Sequence, residues 1–157
     1  MIQASRFLGQ RFARAAALAL LFLAPANLYA EPPILISLTG DTEVPPVSTS
    51  ARGEGQIRVL PDRTVSGSIK LSGFVPTMAH IHEAPAGKNG PPIVTLIPSG
   101  KDRFAVHPDA RLTDAQYASY LAGNLYLNVH STQYPHGQVR AQLLRVDTAG
   151  TAMRPAK

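Results

Sequence analysis

The sequence predicts an all-β fold, an antiparallel β-sandwich or barrel carrying one short helix. Three observations lead to that class. Short segments alternate between apolar and polar residues, the period of a half-buried strand. Clusters of Gly, Pro, Asp and Ser separate them at short intervals. A single segment carries helix signals, so the repeating strand–helix pattern of a parallel sheet is missing.

Taken in order, Ile34–Leu38 (ILISL) opens the domain and stops at TGDTEVPP, where two prolines end any strand. Gly55–Leu60 places Ile57 and Val59 inward, and PDRT makes the turn. Val65–Leu71 puts Val65, Ile69 and Leu71 on one side. Met78–Glu83 follows, then the loop APAGKNGPP, then Ile93–Ile97. Leu112–Gly123 is the helix, with Thr113 and Gln116 spaced as a capping box and Gly123 as its stop. Leu112, Tyr117, Tyr120 and Leu121 form its expected packing face. Asn124–His130 and Gln138–Val146 pair as a hairpin around STQYPHG.

The two ends read differently. Arg6, Arg11 and Arg14 precede the ten apolar residues Ala15–Ala24 and then PANLYA, the order of a secretory signal peptide. Residues 1–30 are therefore expected to be removed after Ala30, with Ala26 as the second choice. The apolar run is too short to span a bilayer. The expected domain is 31–146, followed by a disordered tail over 147–157. Localisation is expected to be secreted or periplasmic, with no stable membrane insertion after cleavage.

The charge follows from that cleavage. Of 15 basic and 10 acidic residues, three basic and no acidic ones lie before residue 31, so the mature chain carries about +2. So small a charge without a basic cluster gives no footprint for nucleic acid. About 127 residues remain, enough for one core. The chain has no cysteine, which excludes a disulfide framework, thiolate ligands and a cysteine nucleophile. Ser48–Ser50 lacks a His/Asp partner nearby, and no phosphate-binding glycine motif is present.

The informative residues are histidines. His80 and His82 stand two apart in MAHIHEAPAG, so on a strand they share a face opposite Ile81. In NLYLNVH, Leu125, Leu127 and Val129 point inward, which turns Tyr126, Asn128 and His130 outward. In the last strand Val139, Ala141 and Leu143 go inward and Gln138, Arg140 and Gln142 outward. If these strands are neighbours, His80, His82 and His130 converge on one external face beside Arg140. Three imidazoles on a rigid sheet suit copper or zinc. His136 and His107, both in loops, are candidate fourth ligands, and Asn128, Arg140 and Glu83 are candidate supporting residues. A pair of surface histidines, or satisfied polar side chains in a packed sheet, fits the same H-x-H spacing.

Three blocks then carry a resemblance. DTEVPPVSTSARGEGQIRV, MAHIHEAPAGKNGPPIVTL and LTDAQYASYLAGNLYLNVHSTQYPHGQVRAQL resemble successive blocks of the CHRD domain, over roughly residues 35–144. That resemblance implies a secreted or periplasmic β-rich module with no general assigned activity. The pattern often carries Glu where Gln138 stands and Gly where Ala141 stands. A weaker similarity links His80-Ile81-His82 and Val129-His130 to the copper motifs of Cu/Zn superoxide dismutases, in the same order. It implies a Greek-key, superoxide-dismutase-like sandwich, and it likens Arg140 to the arginine that guides the anionic substrate there. The loop after His82 has no bridging histidine, so a copper-only site is all that it implies.

The expected function is thus a non-enzymatic binding module holding copper, or else zinc, on its histidines. A metal-free module for an extracytoplasmic protein or polysaccharide is the first alternative, and a copper-only dismutase is the enzymatic one. Glu43 in EVPPV reads as structural, with a ligand or ion-pair role as the alternative. Gly87 and Gly90 read as loop glycines, with an anion-binding nest as the alternative.

Overall fold

The computed structural model describes residues 31–145. The signal peptide expected over 1–30 and the tail expected over 147–157 lie outside the described residues.

Eight strands form one sheet in the order β1-β2-β3-β6-β5-β4-β7-β8. They are β1 (Ile34–Leu38), β2 (Arg52–Val59), β3 (Val65–Ser72), β4 (Pro76–Glu83), β5 (Pro92–Gly100), β6 (Arg103–Val106), β7 (Leu125–Ser131) and β8 (Val139–Gln142). Every pairing is antiparallel. The meander β4–β5–β6 is flanked by β3 beside β6 and by β7 beside β4, which is Greek-key connectivity. A bridge between Thr39 and Arg140 brings the two ends of the sheet together and nearly closes a barrel. The all-β expectation holds.

The core is the set of inward positions that alternation predicts. Ile57, Val59, Val65, Ile69, Leu71, Ile81, Leu125, Leu127, Val129 and Val139 are all buried in it. Helix α1 (Asp114–Leu121) begins at Thr113 with the full capping box and ends in a Schellman arrangement. There the Asn124 N–H bonds Ser119 O and the Gly123 N–H bonds Tyr120 O, with Gly123 at φ 74°. Leu112 and Tyr120 join the core and Tyr117 packs against it. Leu121 does not, and is exposed.

Several boundaries differ from expectation, among them β4, which starts at Pro76, and β5, which runs on to Gly100. β6 was not expected, because four residues after a turn show too little alternation. It forms because β3 and β5 each have an edge to satisfy, and Phe104 and Val106 turn inward between them. β2 starts earlier than expected, at Arg52, and β8 ends earlier, at Gln142. Beyond β8, Leu143 stays buried and its N–H bonds Leu125 O.

The outward face of β4, β7 and β8 is the larger correction. All seven residues of β7 are buried, including the outward Tyr126, Asn128 and His130. The face is not open surface, because three loops fold over it. The segment after β1 contains a 3-10 turn (Gly40–Thr42) and a cis Val44–Pro45 bond. The β4–β5 loop brings Asn89 and Gly90, and the β7–β8 loop brings Pro135 and His136. The result is a polar layer outside the barrel.

Candidate metal centre

Strand register sets out this layer as a grid. Across β4 and β7, Met78 faces His130, His80 faces Asn128, and His82 faces Tyr126. Across β7 and β8, Asn128 faces Arg140 and Tyr126 faces Gln142. The three histidines therefore come from two adjacent strands, as the alternation of each strand predicts.

Their rings converge. His80 Nδ1 lies 3.2 Å from His130 Nε2. Ring centroids are 5.6 Å apart for His80 and His82, 5.2 Å for His80 and His130, and 6.0 Å for His82 and His130. One ring nitrogen from each lies within 4.8 Å of the others. Nitrogens bound to one ion at about 2.0–2.1 Å lie at most about 4.2 Å apart, so a ring shift of under about 1 Å would complete the set. Three such imidazoles could hold a metal ion.

Backbone carbonyls select the nitrogens. His82 Nδ1 donates to Gly90 O at 2.9 Å, and His130 Nδ1 donates to Pro135 O at 3.0 Å. Each bond leaves the lone pair on Nε2. His82 Nε2 is buried and has no hydrogen-bond partner, an orphan that a metal ion would satisfy. His80 Nδ1 faces His130 Nε2 and so carries the proton between them; transfer of that proton to its other nitrogen frees a third lone pair. Burial holds all three imidazoles below the usual histidine range. Neighbouring charge adds to this, from His82 at His80, from His130 and Arg140 at His82, and from His80 and His136 at His130. The Gly90 and Pro135 bonds oppose it in part. The neutral form, which is the ligand form, is favoured.

A stack supports His82. Its ring lies on Tyr126 with centroids 4.9 Å apart and planes 18° apart. Arg140 Cζ also sits over the Tyr126 ring, 3.5 Å from its centroid. Arg140 is 2 % exposed, and donates to Asn89 Oδ1 at 3.1 Å and Gln142 Oε1 at 3.3 Å. It is a packed residue, and the likeness to a substrate-guiding arginine at a site mouth does not carry over.

The other expected residues are distributed as follows. Asn128 is buried between His80 and Arg140, donating weakly to His136 O and Glu43 Oε2. His136 is exposed in the β7–β8 loop and its ring is not part of the three-nitrogen cluster. His107 lies outside it too, its Nδ1 accepting from the Asp109 N–H. Glu83 shares the Ile81 side of β4, away from His82, and accepts a hydrogen bond from Ser119 of α1.

Three contributors were not legible beforehand. Gly90 orients His82, and a Cβ there would meet Glu83 O at 1.9 Å. Only glycine allows that approach; the loop's positive φ belongs to Gly87. Pro135 orients His130 through its carbonyl. Glu43 of EVPPV is 5 % exposed beneath Gly137, with Oε1 unpartnered, and burial pushes its carboxyl up to about 7 against the pull of Arg140 and of the Val44 N–H.

A nearly closed Greek-key barrel with a loop-covered histidine cluster on its outer face defines an antiparallel β-module built for binding. The chain belongs to the CHRD domain family, whose model matches residues 35–143. No curated protein and no solved structure matches it.

Proposed function

We propose that this chain is an extracytoplasmic CHRD module that binds a metal ion, copper in the first place and zinc in the second, through His80, His82 and His130. His136, in the loop beside His130, is proposed as a fourth, exchangeable donor, with Asn128 and Arg140 supporting the set. The observation that carries this reading is the buried, unpartnered Nε2 of His82 within a cluster in which carbonyls set the tautomers of His82 and His130. The leader-like residues 1–30 and the extracellular habit of CHRD domains support the location. No helix among the described residues is long and apolar enough to cross a membrane.

Titration with Cu(II) of the purified protein and of a triple His80/His82/His130→Ala variant tests it. Stoichiometric binding by the first alone is expected; equal, weak binding by both sinks the proposal.

A second reading, metal-free binding of polysaccharide or protein, is favoured by a groove beside the β7–β8 loop. It is lined by hydroxyl and amide side chains, among them Thr49 and Gln138, together with Phe74 and Tyr134. Retention on a polysaccharide column that Tyr134→Ala abolishes, from protein free of metal by elemental analysis, would establish it. For a copper-only dismutase the test is whether copper-loaded protein clears superoxide faster than free Cu(II).

A further inference from the structure

We infer that Met78 supplies a thioether donor to the histidine cluster and makes it a centre for Cu(I). This rests on the metal-binding reading above and deepens it by naming the ion. Met78, His80 and His82 occupy positions i, i+2 and i+4 on the same outward face of β4, and Met78 stands directly opposite His130. Directly opposed residues in an antiparallel pair have Cβ atoms about 4.5–5.5 Å apart, and methionine's unbranched chain turns its sulfur easily over that range. Met78 is 49 % exposed, a large apolar side chain left at the rim of an otherwise polar layer.

The donor set then has a consistent chemistry. Imidazole nitrogens and a thioether are all neutral, and the cluster contains no carboxylate or thiolate. Thioether selects Cu(I), whereas zinc sites are built from imidazole, thiolate and carboxylate. A monovalent ion also leaves less uncompensated charge in a layer that already buries the Arg140 guanidinium.

The experiment compares the purified protein, Met78→Leu and the triple histidine variant. Cu(I) affinity is read by competition with a chromophoric Cu(I) chelator and Zn(II) affinity by calorimetry, with circular dichroism confirming the fold of each. Met78→Leu is expected to bind Cu(I) about 10–100-fold more weakly and Zn(II) within about twofold of wild type. X-ray absorption of the Cu(I)-loaded protein gives an independent readout. The chain has no cysteine and its methionines are Met1, Met78 and Met153, so a sulfur neighbour of copper that Met78→Leu removes can come only from Met78. Unchanged Cu(I) affinity in Met78→Leu, with no sulfur in the wild-type shell, overturns the thioether while leaving the histidine site standing. Failure of the wild type to bind either ion better than the triple variant overturns both.

Discussion

The Nδ1 of His82 donates to the carbonyl oxygen of Gly90 at 2.9 Å, and the same glycine donates its N–H to the Tyr126 hydroxyl at 3.1 Å. One residue of the β4–β5 loop thus fixes the tautomer of His82 and the tyrosine on which its ring lies. Gly90→Ala places a methyl 1.9 Å from Glu83 O and 2.8 Å from its carbonyl carbon, both backbone atoms that cannot yield without moving the strand end. The loop must lift, and His82 loses its orienting acceptor. Metal affinity should fall about 10–100-fold, the usual consequence of losing a ligand's outer partner. Competition titration beside the wild type checks this; an unchanged affinity would show that the loop does not orient His82.

Arg140 answers to a different measurement. It holds Asn89, whose side-chain amide in turn donates to Val44 O at 2.6 Å, so the guanidinium ties two covering loops to β8. Lysine keeps the charge but loses the planar stack and the two-sided fork. Arg140→Lys should cost about 2 kcal/mol in urea unfolding. A change within about 0.5 kcal/mol, the range of an ordinary surface position, would contradict the packed role.

Glu43 predicts a pH dependence. In the unfolded chain its carboxyl loses its proton near 4.5, but in the fold only at about 7. Between those values the unfolded state binds fewer protons, so this group's contribution to stability falls as pH rises and is lost above about 7. Glu43→Gln removes that slope, whereas the histidines titrate in both proteins and cancel in the difference. The variant should therefore gain about 2–3 kcal/mol on wild type between pH 4 and pH 8. Denaturant melts across that range decide it, and parallel stability curves would refute it.

How much of this was legible depends on the reach of the signal. The faces of β4, β7 and β8 were, because inward Ile81, Leu127 and Val139 recur with period two and leave His82, Asn128 and Arg140 no other side. The convergence of His80 with His130 needed only that their strands be neighbours. The cover was not legible. Nothing local to TGDTEVPP or APAGKNGPP says that these loops lie on a polar face, so Arg140 and Tyr126 read as surface residues although both are almost completely buried. Glu43 beside two prolines reads as structural, and nothing local shows its burial against Gly137, distant in sequence. β6 is four residues long, too short for alternation to announce it, and only its hairpin with β5 is local, its pairing with β3 being wholly non-local.

The bridge that nearly closes the barrel has a kinetic consequence. The hydroxyl of Thr42 donates to Arg140 O at a sequence separation of 98, and His80 meets His130 at a separation of 50. Such contacts are entropically costly to bring together and form late. The three nitrogens therefore have no common geometry until most of the sheet has assembled, and an ion has little to grip in the folding transition state. Added metal should leave the refolding rate nearly unchanged and slow unfolding, by about 100-fold where free metal stands at 100 times its dissociation constant. Stopped-flow unfolding with and without metal measures this directly: the ion would act as a latch on a finished barrel, and acceleration of refolding would show instead that it is a template.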